Sequence, residues 1–238
     1  MMMTTMTTAA TSTDRAALAR RVQGVYLLTP DVAVADFDAM LVRLRAALTA
    51  GVALVQYRSK VAPPQERSRQ ARAVQSLAAQ HGALFIVNDD VRLAQELDAD
   101  GVHLGRDDGD IAEARARLPH ALIGVSCYDD LARARRVVEA GADLVAFGSV
   151  FASTTKPAAV RAPLALLQQA RQEFPAQRIV AIGGIGETNI RAVSAAGAHA
   201  AALIGAVFDA PDPAAAVRRL QYEFNRGTAQ HEPQRTTV

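Results

Sequence analysis

Short apolar segments alternate with longer helical segments along almost the whole chain. The apolar segments are continuous runs rich in Val, Ile and Leu, a pattern typical of parallel strands that are buried on both faces. The intervening segments are rich in Ala and Arg, which favours crossover helices between successive parallel strands. We predict eight strands, at residues 24–29, 54–58, 84–88, 101–104, 122–126, 144–148, 179–183 and 201–205.

Eight strand–helix units in 238 residues match the size and the period of a closed barrel. A glycine stands just before or at the start of four of the strands, where it permits a left-handed end to the preceding helix: Gly51, Gly101, Gly141 and Gly197. An open doubly wound sheet is the alternative, but the first strand is not followed by a Gly-x-Gly-x-x-Gly turn. We therefore predict an α/β fold, a single-domain (β/α)8 TIM barrel at residues 21–226, with flexible tails at 1–20 and 227–238.

Composition and charge argue against several classes of protein. No apolar run approaches the roughly 18 residues that a membrane helix needs, and residues 1–10 do not have the basic start and apolar segment of a signal peptide. Cys127 is the single cysteine, so no intramolecular disulfide is possible and a cytoplasmic location is expected. We interpret Cys127 as a small packing residue rather than a catalytic thiolate. The net charge is only +2 and the arginines are dispersed, which argues against nucleic-acid binding.

Cationic side chains gather at the carboxyl end of the second predicted strand. Gln56 and Arg58 share one face of this strand, and Lys60 follows two residues later. Two cations at one strand end are costly unless they meet an anion, although Arg and Lys often extend into solvent instead. Active sites of TIM barrels lie at this end of the strands. An anionic substrate is therefore expected there.

Carboxylates follow the third and the fourth predicted strands. Asn88 and Asp89 end the third strand, and Asp108 follows the fourth. Oxygen ligands on adjacent loops suit Mg²⁺, which usually keeps waters or substrate phosphate in its coordination shell. A lone carboxylate at such a place is often only a helix N-cap, and that role fits Asp90 and Asp110. For Asp89 and Asp108 the prediction is a Mg²⁺ site.

Two other parts of the predicted mouth suit phosphate. The segment 148–157 carries the hydroxyl groups of Ser153 and Thr155 and the cation of Lys156, which can hold phosphate oxygens. Glycines follow the seventh and eighth strands, at Gly184 and Gly205, where bare backbone amides form the usual phosphate site of such barrels. The mouth thus offers a metal-rich side for a diphosphate and a neutral side for a phosphate monoester. An enzyme that joins a diphosphate donor to a phosphorylated acceptor needs both.

The ordered set of motifs resembles the thiamine-phosphate synthase family, whose members couple hydroxymethylpyrimidine diphosphate to a thiazole phosphate. The matching segments follow family order over roughly residues 24–210: Gln56-x-Arg58-x-Lys60, Asn88-Asp89, Gly101-Val102-His103-Leu104-Gly105 with Asp108, Gly124-x-Ser126, residues 148–156, and Ala181-Ile182-Gly183-Gly184-Ile185. One such motif has little specificity, whereas the ordered set is highly specific.

The resemblance implies a role for each matching residue. It implies that the diphosphate is surrounded by Arg58, Lys60, Asn88, Ser126 and Lys156, and that Mg²⁺ is held by Asp89 and Asp108. It places the pyrimidine near Gln56 and His103. The phosphate of the thiazole is implied to bind at Ser153, Thr155 and the backbone of Gly184, Ile204 and Gly205. Arg58, Lys60, Ser126 and Lys156 are expected to be catalytic. From its sequence context alone, His103 could contact a ligand or simply form a hydrogen bond at the mouth.

The implied reaction is a dissociative substitution, in which diphosphate leaves the pyrimidine methylene before the thiazole nitrogen attacks, without a dedicated general base. The expected cofactor is Mg²⁺, the expected partners are the two small-molecule substrates, and a monomer or homodimer is expected. A thiazole tautomerase, which needs a poised acid or base, and a non-catalytic thiamine-phosphate-binding barrel are the alternatives. Several positions depart from the family pattern: Arg106 where Gln is usual, Tyr128 where His is frequent, Ser153 for Thr, Ser149 for Pro and Gly205 for Ser. Arg106 could contact phosphate or compete with the metal.

Overall fold

The computed structural model describes residues 15–152 and 161–228. Eight parallel strands form one closed barrel in chain order, so the predicted (β/α)8 TIM barrel is confirmed. The strands are β1 (Gly24–Leu28), β2 (Leu54–Tyr57), β3 (Leu84–Asn88), β4 (Gly101–Leu104), β5 (Leu122–Tyr128), β6 (Leu144–Phe147), β7 (Arg178–Ile182) and β8 (Ala200–Leu203). Each end lies within two residues of its predicted position. Thr29, Arg58, Gly148, Gly183 and Gly205 fall just outside the strands rather than at their last positions.

Helices connect the strands and cover the outside of the barrel. They are α1 (residues 15–21), α2 (Phe37–Thr49), α3 (Pro64–Gln80), α4 (Val91–Glu96), α5 (Ile111–Arg117), α6 (Leu131–Glu139), α7 (Leu164–Glu173), α8 (Ile190–Ala195), α9 (Gly205–Phe208) and α10 (Pro213–Thr228). Within the described ranges, no helix has the length and apolar character that crossing a membrane takes.

The alternation of side chains along each strand produces two apolar clusters. Outward-facing residues such as Val55, Phe85 and Val145 pack against the surrounding helices. Inward-facing residues such as Leu54 and Leu122 fill the interior of the barrel. Successive strand residues point to opposite faces, so a polar residue two positions beyond an inward apolar one projects into the barrel mouth. This periodicity positions the functional side chains.

Helix α1 covers the amino-terminal end of the barrel. Leu18 and Ala19 pack against the interior cluster. Arg178 Nε, at the start of β7, donates to the carbonyl of Ala19 at 2.8 Å, and Arg15 Nε donates to Asp143 Oδ1 at 2.9 Å. Residues 15–20 were assigned to the flexible tail, but they belong to the packed structure because they cover apolar side chains at this end.

Helix α10 also extends beyond the predicted boundary at residue 226. It continues to Thr228, and Gly227 is buried where a Cβ would lie 2.9 Å from Ala195 N. The sequence suggested an end near residue 226 because the residues after it lack apolar periodicity and are rich in Thr, Gln and other polar residues. Because α10 approaches α8 closely at this point, a glycine is accommodated inside the helix where a larger residue would collide.

The glycines before the strands have two different roles. Gly51, Gly141 and Gly197 adopt φ values of +89°, +104° and +95°, as predicted for left-handed helix ends. Gly101 does not, and it is instead the first residue of β4. A Cβ at Gly101 would lie 2.7 Å from Ile86 Cδ1, so the glycine is required by packing inside the barrel.

His199 is a partly buried base at the amino-terminal end of the barrel. Its Nδ1 accepts a hydrogen bond from the backbone N–H of Ile179 at 2.9 Å. Burial lowers the pKa of His199 to about 3, and the cations of Arg171 and Arg178 act in the same direction. The folded protein therefore holds this imidazole neutral.

We predict that His199 makes the protein less stable in acid. An unfolded histidine has a pKa of about 6.5, so below that pH the unfolded chain takes up a proton that folded His199 refuses until the pH approaches 3. The free energy of unfolding should therefore fall as the pH drops from about 6.5 towards 4. His199→Asn preserves an acceptor for the N–H of Ile179 and does not titrate, so it should lose less stability over this range. Urea unfolding of both proteins at pH 7.5 and 4.5 measures the difference, and equal losses would contradict the prediction.

Candidate active site

Four polar residues lie at the carboxyl ends of four consecutive strands. They are Gln56 on β2, Asn88 on β3, His103 on β4 and Ser126 on β5. The parallel register pairs Asn88 with His103, and His103 with Gly124. These positions continue the inward-facing series that the interior cluster occupies lower in the barrel. The structure thus brings together four residues that the sequence analysis assigned to one site.

Gln56 is anchored from below by a tyrosine on β1. Gln56 is 2% exposed, and its Nε2 donates to Tyr26 Oη at 2.7 Å. Tyr26 is itself 1% exposed. A buried amide is costly unless it is hydrogen-bonded, so this contact accounts for a polar side chain at the top of an apolar interior.

His103 and Ser126 form a second hydrogen-bonded pair, with His103 Nε2 and Ser126 Oγ 2.9 Å apart. Gly124 makes room for the imidazole, because a Cβ there would lie 2.7 Å from His103 Nδ1. Burial lowers the pKa of His103 to about 4, although the negative charge of Asp108 acts in the opposite direction. His103 is consequently neutral near pH 7 and forms a hydrogen bond, one of the two roles that its sequence context left open.

The loop after β2 is held by residues that follow β1. Thr29 Oγ1 donates to the carbonyl of Arg58 at 2.9 Å and accepts from its backbone N–H at 2.8 Å. Asp31 Oδ1 accepts from the backbone N–H of Lys60 at 2.6 Å, and Asp31 also forms an ion pair with the Arg58 guanidinium. Asp31 and Thr29 were not predicted from the sequence to be part of the site. An acidic residue shortly after the end of β1 was the signal available.

Asp89 and Asp108 approach each other across the ends of β3 and β4. Asp89 Oδ2 accepts from Lys60 Nζ at 2.5 Å, and Asp108 Oδ2 accepts from the backbone N–H of Gly105 at 2.7 Å. Burial raises the pKa of Asp89, Lys60 opposes this effect, and the neighbouring Asp108 adds to it. Two carboxylates that disfavour each other's charge form an oxygen-rich place for a divalent cation.

A cation at this pair would need further ligands from outside the protein. Within residues 15–152 and 161–228 no group of three or more His, Cys, Asp or Glu side chains is arranged to hold a metal ion. Mg²⁺ characteristically binds one or two carboxylates and completes its shell with water and substrate phosphate. The pair therefore fits Mg²⁺ better than a metal that requires an all-protein site.

The neighbouring aspartates serve the helices instead. Asp90 Oδ1 accepts from the backbone N–H of Leu93 at 2.9 Å, and Asp110 Oδ1 accepts from that of Glu113 at 2.9 Å. Each side chain caps the amino terminus of α4 or α5. The N-cap interpretation considered for these two residues is confirmed.

Arg106 stacks on Tyr128 at the edge of the mouth. Its guanidinium carbon lies 4.7 Å from the centre of the Tyr128 ring, a cation–π distance. Arg133 fixes the two backbones that carry this pair, since its Nε donates to the carbonyl of Ser126 at 2.8 Å and its Nη2 donates to that of Gly105 at 3.1 Å. Arg106 and Tyr128, two of the departures from the family pattern, therefore contact each other.

Left-handed backbone conformations mark the ends of two strands. Asp89 has φ +64°, and Tyr128, where the β5–β6 register shifts, has φ +58°. Such conformations are uncommon in residues other than glycine and are concentrated at functional sites. Here these conformations set the directions of the Asp89 carboxylate and the Tyr128 ring at the mouth.

The glycine-rich side of the mouth is formed by β6, β7 and β8. Gly183 and Gly184 have φ values of +101° and +64°. The backbone N–H groups of Val150 and Phe151 donate to the carbonyls of Ile182 and Gly183, each at 3.0 Å. A side chain at Gly184 would collide with Phe151, whose backbone carbon would lie 2.8 Å from its Cβ. Glycine is thus required where the β6 loop crosses the end of β7.

The other residues predicted for this side are only partly described. Gly205 begins the short helix α9, with Ile204 as its N-cap residue, so the end of β8 leads directly into a helix amino terminus. Ser153, Thr155 and Lys156 lie outside the described residues.

A cavity of about 600 Å³ opens beside the side of the mouth that carries Asp89 and Asp108. Lys60, Asn88, Asp89 and Asp108 contribute to its lining. Its volume lies in the range of small-molecule sites.

Cys127 does not take part in this site. Its side chain faces the outer apolar cluster and is fully buried. Burial raises the pKa of Cys127 to about 12. The thiol is therefore protonated at neutral pH, as expected for a packing residue.

Comparison with known proteins identifies the family. The family model described as thiamine monophosphate synthase matches residues 25–207. The chain belongs to this family. It is 54% identical over 202 residues to the thiamine-phosphate synthase of Chromobacterium violaceum, covering 84% of this chain and 95% of the relative. It is 48% identical over 205 residues to that of Thioalkalivibrio sulfidiphilus, covering 86% and 96%.

A solved structure supports the same assignment to the thiamine monophosphate synthase family. The thiamine phosphate pyrophosphorylase from Pyrococcus furiosus superposes with a TM-score of 0.78 at 32% sequence identity. The match covers 87% of this chain and 98% of that protein. The family that the motif order suggested is thus confirmed.

We predict that Gly124→Ala disables this synthase-family site while leaving the barrel folded. The new methyl group would displace the His103 ring and break its hydrogen bond to Ser126, and displacements of about 1 Å in an active site can cost roughly 100-fold in rate. We expect kcat/KM to fall at least about tenfold in a thiamine-phosphate assay.

Gly101→Ala is the matched control, because it crowds the same barrel one layer lower. It should lower the unfolding temperature but leave kcat/KM within about threefold, since its cost is one of packing. Equal kinetic losses in the two variants would show that the effect of Gly124→Ala is not local to His103.

Proposed function

We propose that this chain couples 4-amino-5-hydroxymethyl-2-methylpyrimidine diphosphate to 4-methyl-5-(2-phosphoethyl)thiazole, giving thiamine phosphate and pyrophosphate. The observation that carries the proposal is the division of one barrel mouth into two unlike sides. Cations and a carboxylate pair occupy the ends of β2, β3 and β4, whereas glycines and a helix amino terminus occupy the ends of β7 and β8. The names of the relatives are consistent with this reaction.

The diphosphate would bind on the charged side. Arg58 and Lys60 are held by Asp31 and Asp89, and an incoming diphosphate would exchange these intramolecular contacts for its own oxygens. Asn88 and Ser126 supply neutral donors on the same side, and Lys156 is proposed as a third cation. Together these groups neutralise the charge that develops on the leaving oxygen.

Asp89 and Asp108 would hold Mg²⁺, which supplies Lewis-acid stabilisation of the departing diphosphate when it is bound. The residues present fit that role because both are carboxylates and burial and mutual repulsion raise the pKa of Asp89. Lys60 donates to Asp89 at 2.5 Å. A divalent cation at Asp89 and a diphosphate at Lys60 would therefore favour each other's binding, because each replaces one half of that ion pair.

The two organic rings would be placed by neutral groups. Gln56 and the neutral imidazole of His103 would face the pyrimidine. Ser153, Thr155 and the backbone at Gly184, Ile204 and Gly205 would hold the phosphate of the thiazole and so position its ring nitrogen for attack. Bond breaking depends on stabilising the leaving group, so the reaction does not require an activated nucleophile of the protein. We also propose a cytoplasmic location, as the single cysteine suggests.

The decisive experiment mixes purified protein with the pyrimidine diphosphate, the thiazole phosphate and Mg²⁺ and measures both products. We expect equimolar pyrophosphate and thiamine phosphate, and loss of both in excess EDTA with recovery on adding Mg²⁺. Binding of the thiazole phosphate without any product would instead favour the tautomerase or the binding protein.

We predict that Asp89→Asn greatly lowers activity, whereas Asp90→Asn, at the next residue, changes activity little. Asp89→Asn removes a charge from the proposed metal site and should lower kcat/KM about 100-fold or more while raising the Mg²⁺ concentration needed for half-maximal rate. Asp90→Asn keeps an efficient N-cap on α4, so activity should stay within about threefold. Steady-state rates over a Mg²⁺ titration measure both effects, and similar losses in the two variants would contradict the metal assignment.

We predict that Lys156→Ala costs far more turnover than Ser153→Ala. The lysine is proposed to meet the leaving diphosphate, where charge develops, and a single such donor is worth roughly 100-fold or more. The serine is proposed to hold a phosphate that does not react, so its loss should chiefly raise the KM for the thiazole phosphate. Near-equal activity in both variants would contradict these two roles.

A further inference from the structure

We propose that Asp31 is a displaceable counter-ion of Arg58, which lowers the affinity of the site for diphosphate and so promotes the release of pyrophosphate. The inference rests on the proposed function, because it concerns the diphosphate side of the same mouth. Asp31 lies in the connection between β1 and α2, outside the motifs that carry the family resemblance.

The two carboxylate oxygens of Asp31 have different partners. Asp31 Oδ1 accepts from the backbone N–H of Lys60 at 2.6 Å, whereas Oδ2 pairs with the Arg58 guanidinium. The first contact uses a backbone group and leaves the Lys60 ammonium free of Asp31. The second contact occupies a guanidinium that is proposed to bind the diphosphate. Only the contact with Arg58 therefore competes with the ligand.

The ion pair between Arg58 and Asp31 is one that a ligand can break. The two side chains are 23% and 28% exposed, and ion pairs that reach solvent are individually weak. Within the described residues, Asp31 is the only carboxylate that forms an ion pair with Arg58. A diphosphate offers several charged oxygens to the guanidinium, with which it can form strong charge-assisted hydrogen bonds. Its binding would therefore displace a single carboxylate.

The displaced carboxylate would stay close to the guanidinium. Because Oδ1 is bonded to the N–H of Lys60, Asp31 remains tethered when Arg58 changes its partner. The carboxylate and the diphosphate carry like charges and compete for one cation. This competition lowers the affinity for diphosphate and gives Arg58 an immediate partner when pyrophosphate departs. Asp31 therefore favours release.

The ion pair of Lys60 has the opposite effect on the ligand. Lys60 Nζ donates to Asp89 at 2.5 Å, and Asp89 belongs to the carboxylate pair proposed to hold Mg²⁺. A divalent cation there would take over the charge of Asp89, so Mg²⁺ and diphosphate favour each other's binding. Asp31 is not part of that pair, and its charge stays opposed to the ligand. One ion pair thus assists binding while the other assists release.

Thr29 holds the loop after β2 independently of Asp31. Thr29 is 1% exposed, and its Oγ1 contacts both the carbonyl and the N–H of Arg58, at 2.9 and 2.8 Å. Asp31→Asn keeps an amide oxygen that can accept from the N–H of Lys60. The substitution therefore removes the charge of Asp31 while both backbone anchors of the loop remain.

The test measures the affinity for pyrophosphate itself. Isothermal titration calorimetry with Mg²⁺ at fixed ionic strength, without either organic substrate, gives the dissociation constant. In Asp31→Asn we expect this constant to fall by about threefold or more, the scale of one half-exposed ion pair. The inhibition constant of pyrophosphate in the synthase assay should fall by the same factor. Damage to the site would weaken binding, so a gain in affinity distinguishes this role from a purely structural one.

Asp36→Asn is the matched control. Asp36 carries the same charge in the same connection, but it is exposed and its side chain does not cap α2. The dissociation constant of this variant should stay within about 1.5-fold of the wild-type value, because salt screens exposed charges that do not contact the ligand.

A double-mutant cycle tests whether Asp31 acts through Arg58. In an Arg58→Gln background, Asp31→Asn should change the dissociation constant by less than about 1.5-fold, because the cation for which the carboxylate competes is absent. An unchanged or higher constant in Asp31→Asn, an equal fall in Asp36→Asn, or an undiminished fall in the Arg58→Gln background would each overturn the inference. Loss of folding in Asp31→Asn, checked by thermal unfolding, would also overturn it, since Thr29 is expected to hold the loop.

Formation of thiamine phosphate by the wild-type chain is scored separately from these binding constants. Product formation with no gain of affinity in Asp31→Asn would refute the role of Asp31 alone. A gain of affinity without any product would refute the proposed reaction and leave the role of Asp31 in pyrophosphate binding supported. Failure of this inference and failure of the proposed function are therefore distinguishable.

Discussion

The register of the closed barrel is the constraint on which the other features depend. Each strand pairs in parallel with its two neighbours, and the eight pairings close without an edge. Because side chains alternate between the two faces, this register determines which residues enter the interior and at what height. Gln56, Asn88, His103 and Ser126 follow from it directly. A shift of one residue in a single strand would turn the side chain that this strand contributes to the mouth outwards, towards the helices.

The charges at the mouth are arranged on top of a neutral interior. Below Gln56 the barrel is filled by apolar side chains and one phenol, so the cations of the next layer have no counter-charge beneath them. The counter-charges of Arg58 and Lys60 are instead the carboxylates of Asp31 and Asp89. Both carboxylates come from the ends of neighbouring strands. This arrangement keeps Arg58 and Lys60 ordered while leaving them able to exchange partners, since such half-exposed ion pairs are individually weak.

Local patterns predicted the elements and most of the mouth, whereas the structure was needed for contacts between residues far apart in the chain. Buried runs gave all eight strands, and the residues before α4 and α5 gave the caps Asp90 and Asp110. The pairing of Tyr26 with Gln56 depends on how β1 lies against β2, which no periodicity encodes. Helix α1 was missed for a related reason, because its apolar residues cover the barrel end without a repeated pattern. Gly101 was assigned to a turn since a glycine before a strand looks the same whether the backbone or the packing requires it.

The protonation states of the site bear on the class of chemistry that it supports. His103 is kept neutral, with a pKa of about 4, chiefly because of burial. This imidazole is therefore not poised to exchange a proton near pH 7, where general acid–base catalysis would need it. The polar groups that the barrel does concentrate are cations and amides, which can donate to phosphate oxygens, and a carboxylate pair, which would do so only through a divalent cation. A site with strong stabilisation of a leaving anion and weak proton transfer is consistent with substitution at a carbon that bears a diphosphate, and much less so with tautomerisation of a thiazole.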